Sequence, residues 1–454
     1  EPSSPQDGQI WIDTDGTAPT TVVTRWTKQP AAGTTSLTGN DDYSIPLAYS
    51  AGYEQVFLNG VLLSRSGSEY TATSGTAITL ASATVAGDIV EVICPLQIAT
   101  TDTYTQSAVN NAFVANTGYF AAGKNKIING DFGVNQRAFT STTTDLVYGY
   151  DRWQMSVSGG TCTYSAQTFT PGTAPVAGYE AINFARLVTA SQSATSNYAY
   201  LGQRIEDART FAGQTVTISF WAKAATGTPS VGVTWYRSFG SGGSPSAAEY
   251  AVSAGQKTAI TTSWARYSLT FAINSVSGKT FGTTANTSWI TPFIWTSAGT
   301  DYNTQSGSLG LQNVTIDFWG VQVEAGSNAT AFQTATGTIQ GELAACQRYY
   351  WRSGNTSAFA AHGNGSADSS TASSIVLINP VPMRVGATSV DFSTLGLFDG
   401  VNAVSSVTGA TIAQTSNRTT TVTFTVASGL TQYRLYSVLN NNNVAGYVGA
   451  SAEL

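Results

Sequence analysis

The sequence predicts an all-β chain of several β-sandwich modules joined by short helices or linkers. Three observations carry that expectation. Charged residues make up only 10% of the 454 positions, against roughly 25% in ordinary soluble domains. Gly is abundant at 45 residues and Met scarce at 2, with Ser, Thr, Ala and Asn filling much of the remainder. The 10 Trp, 21 Tyr and 19 Phe supply ample apolar area for packed cores. Uncharged, Thr-rich and aromatic-rich segments suit pleated, half-buried strands. No apolar run approaches the ~20 residues that a bilayer-spanning helix needs.

Residues 1–33 form the first element. Asp7 to Gly16 alternates polar and apolar between Gly-containing turns and reads as a strand, with Thr21 to Trp26 as its partner and a short linker from Pro30 to Gly33. Residues 34–98 form a small β-module. Its Gln55 to Leu63 stretch is two apolar strands around Asn59-Gly60, a pair that accepts positive φ and predicts a tight hairpin. Glu69 to Ala72, Ala77 to Leu80 and Asp88 to Ile93 add strands, with turns at Gly75 and Gly87. In residues 99–123, Ala108, Ala112, Phe113 and Asn116 fall at helical spacing. Such a helix is too small to stand alone; either three copies pack around an axis or it is a linker.

Residues 124–335 form the largest region. Strands are expected at Gln214 to Ala224, Val231 to Tyr236, Ala265 to Phe271, Trp289 to Trp295 and Val314 to Glu324. Many short strands between Gly- and Ser-rich loops spell a two-sheet sandwich. A short helix is expected within 336–352, with Ile339, Leu343, Cys346 and Tyr350 on one stripe. Residues 353–454 form a C-terminal β-domain with strands at Ser374 to Ile378, Thr421 to Val426 and Tyr433 to Val438. No period of 20–50 residues recurs, so neither a β-helix nor a propeller is supported.

The net charge of −6, with scattered basic residues, argues against nucleic acid and against docking on anionic lipid. Cys94, Cys162 and Cys346 are too dispersed for a disulfide framework or a thiolate metal site; they read as buried hydrophobes of a chain folded in a reducing cytoplasm. The single histidine, His362, excludes a multi-histidine metal site, and any His-based triad would have to centre there. It sits in a Gly-rich stretch with no nucleophile motif and reads as an exposed loop residue or a ligand contact. The chain starts at Glu1 with no signal segment, as expected for part of a longer or processed polypeptide.

Four stretches, Lys126 to Phe132, Tyr150 to Trp153, Ile218 to Ala224 and Ile316 to Gly326, resemble the carbohydrate-binding-module-like jelly roll of bacteriophage tail fibres, including those of cyanophages. Tyr53 to Leu63 with Gly87 to Val92 resembles a small β-module upstream in such fibres. Cys346 to Tyr350, Asn379 to Arg384 and Ala452 to Leu454 resemble fibre tips. The resemblance runs from about Gly33 to Leu454, and the order of the motifs is more specific than any one of them. It implies an intertwined homotrimer on the virion, made in the host cytoplasm and acting extracellularly without catalysis or membrane insertion. Residues 1–33 would attach it to other tail or baseplate proteins, and its distal part would recognise a host surface glycan or lipopolysaccharide multivalently. Few charges, Met and thiols leave little to oxidise, which suits that life. A polysaccharide-depolymerising tail spike and a structural baseplate or head-decoration protein are the alternatives.

Sugar recognition needs aromatic faces flanked by polar groups. Trp221 and Lys223 share one strand face, Trp235 and Arg237 another, and Trp289, Phe293 and Trp295 a third. The carbohydrate-binding candidates are Trp221, Trp235, Arg237 and Trp295, which would otherwise fill the space between two sheets. Asp131 and Asp317 lie where related modules hold a structural Ca²⁺, although Gly133 replaces an acid common there; no other cofactor is expected. Tyr350, Trp351, Arg352 and His362 form the receptor-binding tip candidate, or else an interface buried between subunits. No catalytic residue is expected, and Glu206-Asp207 near Arg204 and Arg209 reads as a solvated salt-bridged turn.

Overall fold

The computed structural model describes residues 23–66, 68–95, 123–353 and 357–454, in two compact units, Glu1–Asn111 and Ala112–Leu454. The strand expected at Asp7 to Gly16 and the helix expected around Ala112 lie outside the described residues.

The first unit has β1 (Val23–Lys28), β2 (Ser36–Thr38), β3 (Gln55–Leu58), β4 (Val61–Leu62), β5 (Tyr70–Thr71), β6 (Ala77–Leu80) and β7 (Val90–Pro95). They form a four-stranded sheet, β1-β7-β3-β4, and a three-stranded one, β2-β6-β5. Trp26, Val56, Val90 and Val92 of the first meet Leu37, Tyr70, Ile78 and Leu80 of the second in one core. Asn59 and Gly60 turn at φ 51° and 80° and close Phe57 on Leu62 and Leu58 on Val61, the hairpin expected of that dipeptide. The Asn59 amide donates to Asp88 at 2.7 Å, tying the turn to the approach of β7.

The second unit opens with a two-sheet sandwich. Its strands are β8 (Ser141–Thr142), β9 (Gln154–Ser158), β10 (Thr161–Thr168), β11 (Asn183–Ala190), β12 (Tyr198–Gly202), β13 (Ile205–Glu206), β14 (Thr215–Ala224), β15 (Ser230–Ser238), β16 (Gln256–Ala259), β17 (Ala265–Ala272), β18 (Trp289–Ala298) and β19 (Thr315–Ala325). One sheet runs β17-β14-β19-β11-β10-β8, the other β16-β15-β18-β12-β9 with β13 added on β18. Chain neighbours such as β14 and β15 fall in different sheets, the crossing pattern of a jelly roll. Val216, Ile218, Phe220 and Ala222 of β14 pack with Val231, Val233 and Trp235 of β15 and with Ile290 and Ile294 of β18.

A helix, α1 (Ile339–Gln347), follows, its N-terminus capped by the Thr338 side chain accepting from the Gly341 N–H. The expected apolar stripe is not the buried one. Ile339 is 58% exposed and Leu343 38%, whereas Glu342 and Cys346 are buried, and Tyr350 belongs to the next strand. The Glu342 carboxylate accepts the Asn129 N–H at 2.7 Å and the Thr336 N–H at 2.7 Å. A satisfied buried acceptor thus draws the polar face of α1 onto the sandwich.

The chain ends in β20 (Tyr350–Arg352), β21 (Ala361–Ala367), β22 (Ala372–Ile378), β23 (Ser389–Ser393), β24 (Leu395–Phe398), β25 (Ser405–Thr415), β26 (Thr419–Val426), β27 (Leu435–Asn440) and β28 (Tyr447–Ser451). Six of these close into a barrel, β21-β22-β26-β25-β24-β27, and the others form a small sheet, β20-β28-β23. The core is filled by Ile375, Leu377, Leu397, Val422, Phe424 and Val438. Closure leaves the barrel strands no free edge.

Candidate functional site

The outer face of the β16-β15-β18-β12-β9 sheet carries a row of aromatic rings. Alternation places Val233 and Trp235 of β15, Ile290 and Ile294 of β18 and Leu201 of β12 in the sandwich core. Tyr236, Trp289, Phe293, Trp295, Tyr198 and Tyr200 therefore face the other way. Tyr198, Tyr200, Phe293 and Trp295 cluster with Tyr302 apart from that core. The register lays Tyr236 beside Thr291, and Tyr200 beside Trp295, so rings from three neighbouring strands adjoin.

The rings form a continuous ladder. Trp289 stacks on Tyr236 at 4.9 Å, Tyr236 on Phe293 at 5.7 Å, Phe293 on Tyr200 at 4.1 Å and Tyr200 on Tyr198 at 5.6 Å. Tyr250 closes one end edge-on to Tyr236 at 4.8 Å, and Tyr302 the other, edge-on to Tyr198 at 5.0 Å. Gly202 permits this: a Cβ there would lie 3.1 Å from the Phe293 ring. Beside the ladder runs a cleft lined by Leu146, Tyr148, Gln154, Tyr200, Gly202, Arg204, Trp289, Thr291 and Phe293.

The polar groups of this face are few and held in place. The Arg204 guanidinium lies 4.5 Å from the Trp289 ring centre, and its Nη1 donates to a terminal carboxylate oxygen of Leu454, the last residue. The Tyr148 hydroxyl donates to the same oxygen at 3.1 Å. Burial pushes the Tyr200 phenol up to about 12 and raises Tyr236 as well, with Tyr250 adding to it. Both stay protonated at neutral pH, able to donate to and accept from hydroxyls.

The candidates from sequence fall in different places. Trp295 belongs to the ladder, though only 3% exposed. Trp235 and Arg237 share a face as expected, but it is the inner one, and both are wholly buried. Arg237 pairs with Glu249 at 2.6 Å and donates to the Asn274 and Ser275 carbonyls, so neither residue can touch a ligand here. Trp221 is half-buried on the outside of the other sheet, against Trp319 at 5.3 Å and under the Arg266 guanidinium at 4.7 Å.

The calcium and tip expectations are corrected by the same kind of contact. Asp317 accepts two hydrogen bonds from Arg186, at 2.6 and 2.9 Å, with Lys223 at 3.8 Å, so protein cations already neutralise it. Asp131 accepts from the Tyr179 hydroxyl at 2.8 Å. Among the described residues no three His, Cys, Asp or Glu side chains gather to hold a metal. Tyr350 and Trp351 are buried within one chain. Tyr350 lies under the Arg137 guanidinium at 3.6 Å, and the Trp351 Nε1 donates to Asn379 at 3.1 Å in the barrel core. Arg352 pairs with Asp391 at 3.1 Å. His362 is on β21, its ring nitrogens 2.6 Å from Ser353 Oγ and 2.8 Å from Asn440 Oδ1. Tyr350 and Arg352 thus help seat the C-terminal β-domain on the jelly roll through Arg137, whereas Trp351 and His362 bond within the C-terminal domain itself. Glu206 joins that seam through Arg348 at 2.9 Å, while Asp207 pairs with Arg209 at 3.2 Å.

Tyr198, Tyr200, Tyr236, Tyr148 and Arg204 were not among the sequence candidates. The signal for the first three is the Tyr198-Ala199-Tyr200-Leu201 alternation and the opposite parity of the Trp235 strand; nothing local marks Tyr148 or Arg204.

Among known proteins, no curated sequence matches the chain significantly. Three solved structures overlap about the same share of it. A CBM4 structure does so at 19% identity over 44% of this chain and 98% of its own, with a TM-score of 0.23. The CBM22-1 xylan-binding domain from Paenibacillus barcinonensis does so at 11% identity over 46% and 99%, with a TM-score of 0.23. The enzymatically active domain of tailspike protein 4 from bacteriophage CBA120 does so at 13% identity over 44% of this chain but 21% of its own, with a TM-score of 0.25. In sequence, residues 186–288, inside the jelly roll, match the family of carbohydrate binding domains.

Proposed function

We propose that the jelly roll binds a glycan chain along the outer face of its β16-β15-β18-β12-β9 sheet. The observation that carries this reading is the ladder from Tyr250 through Tyr236, Phe293 and Tyr200 to Tyr302. It is a half-buried row of aromatic rings, fully exposed only at Tyr250, with Tyr hydroxyls, Gln154 and Arg204 at its margin. Apolar sugar faces and ring hydroxyls are matched by such a combination, as in other concave ligand sites. The match of residues 186–288 to carbohydrate binding domains supports it.

The same reading extends to the whole chain: an adhesive virion tail fibre, a parallel homotrimer, attached by its N-terminal side to tail or baseplate proteins and binding host surface glycan or lipopolysaccharide without cleaving it. The order of motifs and the low content of charge, Met and thiol support this. Weak single sites repeated on three chains would act through avidity.

The test is retention of the full chain on immobilised polysaccharides and on host lipopolysaccharide. Trp289→Ala and Tyr236→Ala should each weaken retention by roughly tenfold or more, the scale of a buried aromatic anchor, with unchanged melting of the barrel. Wild-type retention by both variants would refute the ladder as the site. A monomeric mass in solution would refute the trimer.

A further inference from the structure

We propose that a second subsite, the cleft between the 206–209 turn and the 281–288 loop, seats one neutral sugar residue of the same glycan by two adjacent hydroxyls. This rests on the glycan-binding reading above. The cleft beside the ladder measures 30 Å³, room for little more than a water. The loop cleft measures 380 Å³, within the roughly 300–1,000 Å³ of small-molecule sites. The two adjoin at the end of the ladder. Ser288, which precedes Trp289, lines the loop cleft, and so does Glu206, which lies opposite Trp289 in the pairing of β13 with β18.

The walls are fixed by the chain itself. The Asp207 N–H donates to the Ser288 carbonyl at 3.1 Å, and the Gly282 N–H to the Phe239 carbonyl at 2.9 Å. A Cβ on Gly282 would lie 2.3 Å from the Ser241 oxygen, so the 281–288 loop rests backbone to backbone on its neighbour. Among the described residues, Glu206, Asp207 and Arg209 are the charged side chains of the lining. Glu206 pairs with Arg348 at 2.9 Å and Asp207 with Arg209 at 3.2 Å, so the cleft holds no uncompensated cation to attract an anionic ligand.

The Asp207–Arg209 pair is accessible, its side chains 49% and 58% exposed. The Arg209 guanidinium is held over the Phe281 ring at 3.7 Å. Among the described residues its side chain bonds only through Nη1, to Asp207, so Nε and Nη2 keep their protons for a ligand. Asp207 Oδ2 accepts from that Nη1 alone and keeps acceptor capacity. A carboxylate only accepts and a guanidinium only donates, whereas a sugar hydroxyl does both. Two adjacent hydroxyls fit such a pair, one donating to Asp207 and the other accepting from Arg209, each in a charge-assisted bond. Thr284, Thr287 and Ser288 add hydroxyls, and Phe281 an apolar contact.

The experiment has two arms, both on the full chain. In the first, Asp207→Asn and Arg209→Gln are titrated with the neutral polysaccharide that the wild type retains best. Each should bind about tenfold less tightly, the scale of a lost charge-assisted hydrogen bond. In the second, the same polymer is used after partial periodate oxidation and borohydride reduction, which opens rings carrying adjacent free hydroxyls. The gap between wild type and variants should shrink there, whereas Trp289→Ala should weaken wild type and variants alike. Variants that match the wild type on the untreated polymer overturn the subsite and leave the ladder standing. A gap of equal size on both forms overturns the adjacent-hydroxyl reading. A wild type that retains only acidic polymers overturns the proposal as well, and retention of no polysaccharide overturns the ladder with it. Should Asp207→Asn melt early, Arg209→Gln decides.

Discussion

Tyr200 and Phe293, on adjacent strands β12 and β18, stack with ring centres 4.1 Å apart and planes 25° from parallel. Their closeness depends on Gly202, whose missing side chain leaves room for the Phe293 ring. The pair links the Trp289–Tyr236 half of the ladder to the Tyr198–Trp295 half. Phe293→Leu keeps the apolar volume and removes the stack. It should cost about 1 kcal/mol of stability and weaken glycan retention, read by denaturant unfolding and affinity electrophoresis. Unaltered retention would show that the two halves act separately.

Trp351 is packed in the barrel core rather than displayed at a tip. Trp351→Ala should therefore destabilise the chain by about 3–5 kcal/mol, seen as early loss of the barrel in thermal unfolding. Tyr433→Ala, at a residue 81% exposed, should leave melting unchanged. A Trp351→Ala chain as stable as wild type would contradict the packing.

Asp151 is buried in the seam, accepting from Gln136 at 2.6 Å and Arg137 at 3.3 Å. Burial pushes its carboxyl up to about 6, against the Arg137 guanidinium and the Gln136 hydrogen bonds. The folded chain thus holds this proton more tightly than the unfolded one. The stability it contributes is complete below about pH 4 and is lost as pH rises through about 6. Asp151→Asn keeps the acceptor and cannot titrate. The melting difference between wild type and variant should shift against wild type from pH 4 to 7; parallel curves would refute the assignment.

Arg237 and Glu249 form an ion pair whose arginine is wholly buried. Glu249→Ala leaves that guanidinium without its carboxylate and should cost about 3 kcal/mol or somewhat less, since Glu249 keeps some exposure. Arg237→Met removes the buried charge itself and should cost less. Chemical denaturation of both variants checks the order, and the reverse order would show that the pair acts through its carbonyl contacts.

The sequence by itself determined the β class, the Asn59-Gly60 hairpin and, to within one residue at each end, the spans of β14 and β19, because turn chemistry and local alternation are written in consecutive residues; β18 runs three residues past the expected Trp295. It also placed Trp289, Phe293 and Trp295 on one stripe. Only the tertiary structure decided which stripe faces outward. Trp235-Tyr236-Arg237 alternates equally well either way, and the choice is made by the opposing sheet, which covers Trp235, and by Glu249, which compensates Arg237. The same holds for the cluster around Trp351. Aromatic and cationic residues look alike in sequence whether they seal a seam or meet a ligand. Their partners, Asp391, Asn379 and Arg137, lie far along the chain and come together only through folding. Arg204 is the clearest case, since its partners Trp289, in the cleft, and Leu454, beside it, are supplied by strand pairing and by the return of the chain's last residues.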